Sequence, residues 1–263
     1  MLISIVKIVL LLYAAVCVLV YFVQEKLIFF PQQLEKDFGF RFEVPFEEIS
    51  LKTEDQVLLN AVLFKADQPR GVIFYLHGNA GSLNSWGDVA PVYTSLNYDV
   101  FMLDYRGYGK SGGKISSQKQ MYQDVQTAYN HLKTRYAERH IIVLGYSIGT
   151  GPATKVAAEN KPRLLLLQAP YYSLKDLMKR YFPVLPTFLL KYPFETYRYL
   201  QKCTMPVVLF HGEEDEIIYY GSSLQLKKHL KSTDTLITLP GLGHNGMTSN
   251  PTYQTQLQQI LQK

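Results

Sequence analysis

Six short, nearly continuous apolar runs set the architecture open to this chain: residues 71–77, 100–104, 140–145, 163–168, 206–211 and 235–239. Runs this short, without a polar face, suit strands covered on both sides, as in a parallel sheet between helical layers. Helix-like stretches fall between and after them, at 83–96, 118–136, 149–158, 222–230 and 252–261. Two earlier segments, 46–54 and 57–65, mix apolar and polar residues and predict a hairpin turning near Asp55. The alternation predicts an α/β fold, a doubly wound and mostly parallel sheet of about eight strands. In such sheets chemistry gathers at the carboxyl ends of the strands.

Upstream lies a segment of a different kind. From Met1 to Val23 the only charged side chain is Lys7. A helix over these 23 residues extends roughly 34 Å, enough for a hydrocarbon layer of about 30 Å. Lys7 lies near one end, where it can snorkel to the headgroups. The expected organisation is a transmembrane anchor at 1–23, a juxtamembrane segment at 24–45 and the folded domain at 46–263. The expected location is therefore a membrane, entered by one pass, with the lipid bilayer as a partner. A cleaved secretory signal is the competing reading, but Gln24-Glu-Lys-Leu-Ile-Phe-Phe-Pro31 offers no small-x-small cleavage site. Lys7 precedes the span while Lys26, Lys36 and Arg41 follow it among acids, so the side of the membrane holding the domain stays open.

Composition removes several classes. At 263 residues, the chain has room for one α/β domain of common size beside its anchor. A hydrophobic fraction of 47% with 13% aromatics excludes disorder. The net charge of +5 is too dilute along the chain for a nucleic-acid partner. Only Cys17 and Cys203 are present, too few for a disulfide framework or a cysteine-rich zinc module. No phosphate loop, nucleotide fingerprint or metal constellation occurs, so no cofactor is expected. Nothing in the sequence fixes an oligomeric state.

The strand ends carry one constellation. Gly145-Tyr-Ser147-Ile-Gly149 follows the run at 140–145 and opens a small-residue helix. A tight strand-to-helix turn lifts a serine hydroxyl above a sheet, and flanking glycines let that turn form. The motif alone arises by accident in roughly one chain in ten at ordinary glycine content; its place between strand and helix is what gives it weight. A serine nucleophile needs a base and a group to orient that base. Of six histidines, His131, His140 and His229 read as solvated or structural. His77 and His211 end strands before glycines and read as loop-shaping. His244 follows the last strand in Gly241-Leu-Gly-His244-Asn-Gly246 and is the expected base. Gly212-Glu213-Glu214-Asp215-Glu216 supplies the acid: Asp215 by its short reach, with Glu213 and Glu214 as fallbacks. The order Ser147, Asp215, His244 is the one described for α/β-hydrolases. Oxyanion donors are expected from the N–H of Ile148 and from the loop His77-Gly-Asn79-Ala-Gly81.

With Leu27-Ile-Phe-Phe-Pro-Gln32, Asp104-Tyr-Arg-Gly-Tyr-Gly109, Ser111-Gly112, His211-Gly-Glu-Glu-Asp215 and Gly243-His244 added, the chain resembles the α/β-hydrolases. It looks most like membrane-anchored, lid-poor serine hydrolases, which include protein depalmitoylases and relatives of serine aminopeptidases. The resemblance runs from about residue 27 to the C-terminus. It implies oxyanion donation from the amides of Ile148 and Asn79, and a structural role for 104–112. The function it implies is cleavage of an acyl ester or thioester through an acyl-serine intermediate. Two alternatives stay open: a serine peptidase of the same fold, and a non-catalytic membrane-tethered interaction module.

The stretch 171–202 is expected to form a short helical cap. From Tyr171 to Tyr199 it holds nine aromatics, with Lys175, Lys179, Arg180, Lys191 and Arg198 against Asp176 and Glu195. A basic aromatic surface suits a bilayer headgroup zone, and Tyr171 and Phe182 are the residues expected to line an acyl groove. The plainer reading is that these rings pack the cap onto the sheet.

Overall fold

The computed structural model describes Met1–Gln262. Eight strands build one sheet: β1 (Phe46–Lys52), β2 (Leu58–Phe64), β3 (Val72–Leu76), β4 (Asp99–Leu103), β5 (Ile141–Tyr146), β6 (Leu164–Gln168), β7 (Val207–Gly212) and β8 (Thr235–Leu239). Their spatial order is β8-β7-β6-β5-β3-β4-β2-β1. The β1–β2 hairpin and the β2–β4 pair are antiparallel, and every other pairing is parallel. Every run read from the sequence became a strand within a residue or two of its expected limits.

Alternation along the strands divides the core. Val72, Phe74 and Leu76 of β3 enter one apolar cluster, Ile73 and Tyr75 the other. The first is covered by α2 (Gln118–Arg135) and α3 (Thr150–Glu159) through Val125, Leu132 and Val156. Ser117 starts α2 by accepting the Gln120 N–H at 3.1 Å, which satisfies one orphan donor of the first turn. The second cluster is closed by Tyr93 and by Tyr253, Leu257 and Leu261 of the last helix, Pro251–Gln262. The stretch expected as one helix at 83–96 is instead three short pieces, Leu83–Trp86, Gly87–Val89 and Ala90–Thr94. Pro91 is the physical reason, because it has no N–H to carry a helix through that point.

The N-terminal helix α1 (Leu2–Ile28) runs beyond the apolar stretch that ends at Val23. It is long and apolar enough to cross a membrane, and its most apolar stretch is not buried against the domain. Its polar end is tied down. The Gln24 side chain donates to Leu189 O at 3.0 Å and accepts the Lys191 N–H at 2.8 Å, and Glu25 accepts the Tyr192 hydroxyl at 3.1 Å. The chain then pairs Phe30–Pro31 in parallel with Ala80–Gly81.

Between β6 and β7 stand α4 (Leu174–Tyr181), a 3₁₀ turn at Thr187–Leu189 and α5 (Thr196–Leu200). The nine aromatics there range from buried to exposed, with Tyr172, Tyr197 and Tyr199 half-buried. Tyr171, Tyr192 and Phe194 are fully buried, whereas Tyr181, Phe182 and Phe188 are exposed. Tyr171 therefore lines no groove: its hydroxyl donates to Ile148 O at 3.0 Å, and its ring packs against α3 near Gly151. Tyr171→Ala is expected to cost about 3–5 kcal/mol and to depress every substrate alike. A thermal melt, with Tm lower by roughly 10 °C, checks it.

Candidate active site

Ser147 sits where β5 turns into α3, with φ at +51°, a left-handed conformation unusual for a non-glycine residue. The turn is possible because its neighbours are bare. A Cβ on Gly145 would lie 2.6 Å from Gly149 O and 2.7 Å from Ala153 Cβ, and one on Gly149 would strike the carbonyls of Leu76 and His77. The requirement for both glycines is thus steric, set by how closely α3 approaches β3 and β5. Ser147 is only 7% exposed.

His244 arrives on the loop after β8. Its Nε2 lies 3.0 Å from Ser147 Oγ and its Nδ1 lies 2.8 Å from Asp215 Oδ2. Two contacts fix that loop: the Tyr146 hydroxyl donates to His244 O at 2.5 Å, and the His244 N–H donates to Glu216 at 3.1 Å. Asp215 is buried in the turn after β7, while Glu213 and Glu214 point into solvent. Its Oδ1 accepts the N–H groups of Ile217 at 2.9 Å and Ile218 at 2.7 Å, and His211 Nε2, 2.7 Å from Ile218 O, lies 3.2 Å from Oδ2.

Burial opposes ionisation of Asp215, but hydrogen bonds from His211 and His244, the His244 charge and the Ile218 N–H outweigh it. They hold the carboxyl well below the usual carboxylate range. A depressed folded value means that this group contributes stability above the unfolded value of about 3.9. That contribution is lost as pH falls from there towards the folded value.

Asn79 is held on two sides. Its carbonyl accepts the Phe30 N–H at 3.0 Å and the Tyr108 hydroxyl at 2.7 Å, and its side chain donates to Ile28 O at 2.9 Å. Among the described residues, its own N–H donates to no main-chain carbonyl. The Ile148 N–H opens a helical turn, where donors lack intrahelical partners. Both amides belong to fixed backbone and are free to meet a developing oxyanion.

The structure thus brings Ser147, His244 and Asp215 into one chain of contacts, with Asn79 and Ile148 on neighbouring turns. Sequence reasoning missed three contributors. His211, read as loop-shaping, touches Asp215 directly; its spacing of four residues from that acid was the available signal. Glu216 and the Tyr146 hydroxyl hold the His244 loop, and nothing in their sequence context marks them. The stretch 104–112 makes packing and turn contacts. Asp104 accepts the Leu83 N–H at 3.0 Å, the Tyr105 hydroxyl donates to His77 O at 2.9 Å, and Arg106 pairs with Asp55 and Asp124.

Known proteins resemble this chain in sequence and in fold. The family model described as serine aminopeptidase, S33, matches residues 67–196. "Alpha/beta hydrolase domain-containing protein 17B" of Xenopus laevis is 33% identical over 195 residues, covering 72% of this chain and 65% of that protein. Protein bem46 of Schizosaccharomyces pombe is 33% identical over 191 residues, covering 67% of this chain and 63% of its own length. An esterase from Pyrococcus furiosus superposes with a TM-score of 0.71 at 19% identity, covering 89% of this chain and 97% of that one. The chain belongs to the α/β-hydrolase superfamily. The chain spans just under two thirds of the length of the curated relatives it matches. Its fold also resembles Est1E of Butyrivibrio proteoclasticus, solved with ferulic acid, at a TM-score of 0.66 and 18% identity over 81% of this chain and 96% of that one. Among the described residues, no group of three or more His, Cys, Asp or Glu side chains is placed to hold a metal ion.

Proposed function

We propose that the chain is a bilayer-anchored serine hydrolase that cleaves carboxylic esters or thioesters through an acyl-Ser147 intermediate. The reading rests on the contact chain Ser147 Oγ–His244 Nε2 at 3.0 Å and His244 Nδ1–Asp215 at 2.8 Å. His244 takes the Ser147 proton as Oγ attacks the substrate carbonyl carbon, and Asp215 steadies the imidazolium that results. The N–H groups of Ile148 and Asn79 receive the oxyanion. Collapse expels the alcohol or thiol, which takes the proton from His244. Water then repeats the sequence on the acyl-serine and frees the acid. Every step uses side chains and amides of this chain, so no cofactor is needed.

Anchoring bears on the substrate. The Phe30 N–H, two residues past the end of α1, hydrogen bonds the Asn79 carbonyl at 3.0 Å. A helix spanning the bilayer as Leu2–Ile28 would therefore hold the reacting centre at the membrane surface, which favours substrates carrying long acyl chains.

The test compares acetyl, octanoyl and palmitoyl esters, with a palmitoyl thioester alongside. Each buried methylene contributes about 0.8 kcal/mol. Shielding half of the octanoyl chain's extra methylenes is expected to raise kcat/KM over acetyl roughly fiftyfold. A flat profile would move the assignment to small esters or peptides.

A further inference from the structure

We infer that the tip of the cap, residues 182–190, is a second membrane-embedded element, immersed beside α1 in the acyl region of one leaflet. This rests on the bilayer-anchored reading above and extends it. The segment Phe182-Pro-Val-Leu-Pro-Thr-Phe-Leu-Leu190 carries no charge, and Arg180 and Lys191 bracket it. Three of its large side chains are left largely uncovered: Phe182 is 59% exposed, Val184 74% and Phe188 82%, while Leu185, Leu189 and Leu190 are half-buried. Exposed apolar side chains clustered on a folded surface mark an interaction site.

Its neighbour is what identifies the occupant. The Tyr13 hydroxyl, in the apolar part of α1, donates to Val184 O at 2.8 Å, and Gln24 donates to Leu189 O at 3.0 Å. The cap tip thus lies along α1 from the polar collar at Gln24 up to Tyr13. Eleven residues correspond to about 16 Å of helix, and less in depth if the helix tilts, close to the ~15 Å of one leaflet's hydrocarbon. Whatever surrounds this length of α1 also surrounds the exposed rings of the cap. A helix crossing a bilayer here leaves lipid as the only medium for both.

Irregular chain in hydrocarbon is costly wherever its polar groups stay unpaired. Four of this segment's seven N–H groups are paired, and among the described residues those of Val184, Thr187 and Phe188 donate to no protein acceptor. Pro183 and Pro186 have no N–H, and the N–H groups of Phe182, Leu185, Leu189 and Leu190 donate to the carbonyls of Met178, Phe182, Pro186 and Thr187. The carbonyls of Val184 and Leu189 accept from α1 itself. Lys179, Arg180 and Lys191 stand at the base of the segment, where ammonium and guanidinium groups reach phosphate headgroups. The arrangement is a hydrophobic wedge with a cationic collar, on the element that connects β6 to β7.

The experiment uses the full chain with Cys17→Ser. Cys203 stays unlabelled, because it is buried and burial pushes its thiol up to about 12. Single cysteines at Phe188→Cys, Val184→Cys, Leu11→Cys and the exposed Lys161→Cys receive an environment-sensitive fluorophore. The labelled chains are reconstituted in phosphatidylcholine vesicles whose acyl chains carry a nitroxide quencher. The expected result is quenching at 188, 184 and 11 several-fold above that at 161. Quenching at 11 with 188 and 184 matching 161 overturns the cap insertion and leaves the anchor standing. No quenching at 11 overturns the anchor and the insertion together. Disulfide linking of 188 between two chains, without lipid quenching, overturns the proposal in favour of a second copy covering the patch.

Discussion

Ser147→Ala is expected to lower kcat by about 10⁶ while leaving the fold intact. The magnitude follows from serine hydrolases in which nucleophile, base and acid act as one unit, so that loss of the serine removes the covalent route entirely. What survives is the oxyanion site and substrate binding, worth about 10³–10⁴ over water. His244→Ala should fall as far, and the double variant scarcely further, because the 3.0 Å contact between the two side chains makes them a single device. The alanine side chain also relieves nothing that holds the fold: Ser147 keeps its backbone at φ +51° through the packing of β5 and α3, not through its hydroxyl. A melt close to that of the parent, together with lost turnover on any ester, is the expected pair of readings. Loss of activity with a collapsed melt would instead indicate a structural serine.

Asp215→Asn is expected to cost about 10⁴ in kcat, because an amide can present N–H to His244 Nδ1 and so stabilise the wrong tautomer. The same substitution has a signature in acid. The parent should lose stability from about pH 4 downwards as the depressed Asp215 carboxyl takes up its proton. The asparagine variant should be less stable at pH 7 and flatter through that range. Chemical denaturation at pH 7, 5, 4 and 3 reads the difference. His211→Ala is the milder companion. It removes an imidazole whose Nε2 lies 3.2 Å from Asp215 Oδ2 and 2.7 Å from Ile218 O, so a loss of about tenfold or less is expected.

Much of this was legible before any coordinates. The parallel strands are short apolar runs, and the site falls where motifs meet strand ends, so Ser147, Asp215 and His244 could be named from the chain alone. Ile148 is expected as an oxyanion donor from its place at the helix start, and Asn79 from the resemblance. What stayed hidden depends on long-range packing. Tyr171 stands in an aromatic segment that reads as a surface, yet its hydroxyl is drawn onto Ile148 O and its ring is sealed under the cap. His211 looks like any strand-end histidine until the turn after β7 folds Asp215 back over it. The juxtamembrane segment shows its tertiary place only through pairing across fifty residues, Phe30 with Ala80, beside the Asn79 loop. The break at Pro91 was available in principle, since proline position is a local signal, but the apolar content of 83–96 outweighed it.

The central claim is that Ser147 is an activated nucleophile at neutral pH. Treating the folded full chain with a fluorophosphonate probe, then mapping the adduct by mass spectrometry, addresses it directly. The account predicts one adduct, on Ser147, absent from Ser147→Ala and strongly slowed in His244→Ala. A folded chain that stays unlabelled, or that is labelled at another serine with Ser147 untouched, would contradict it.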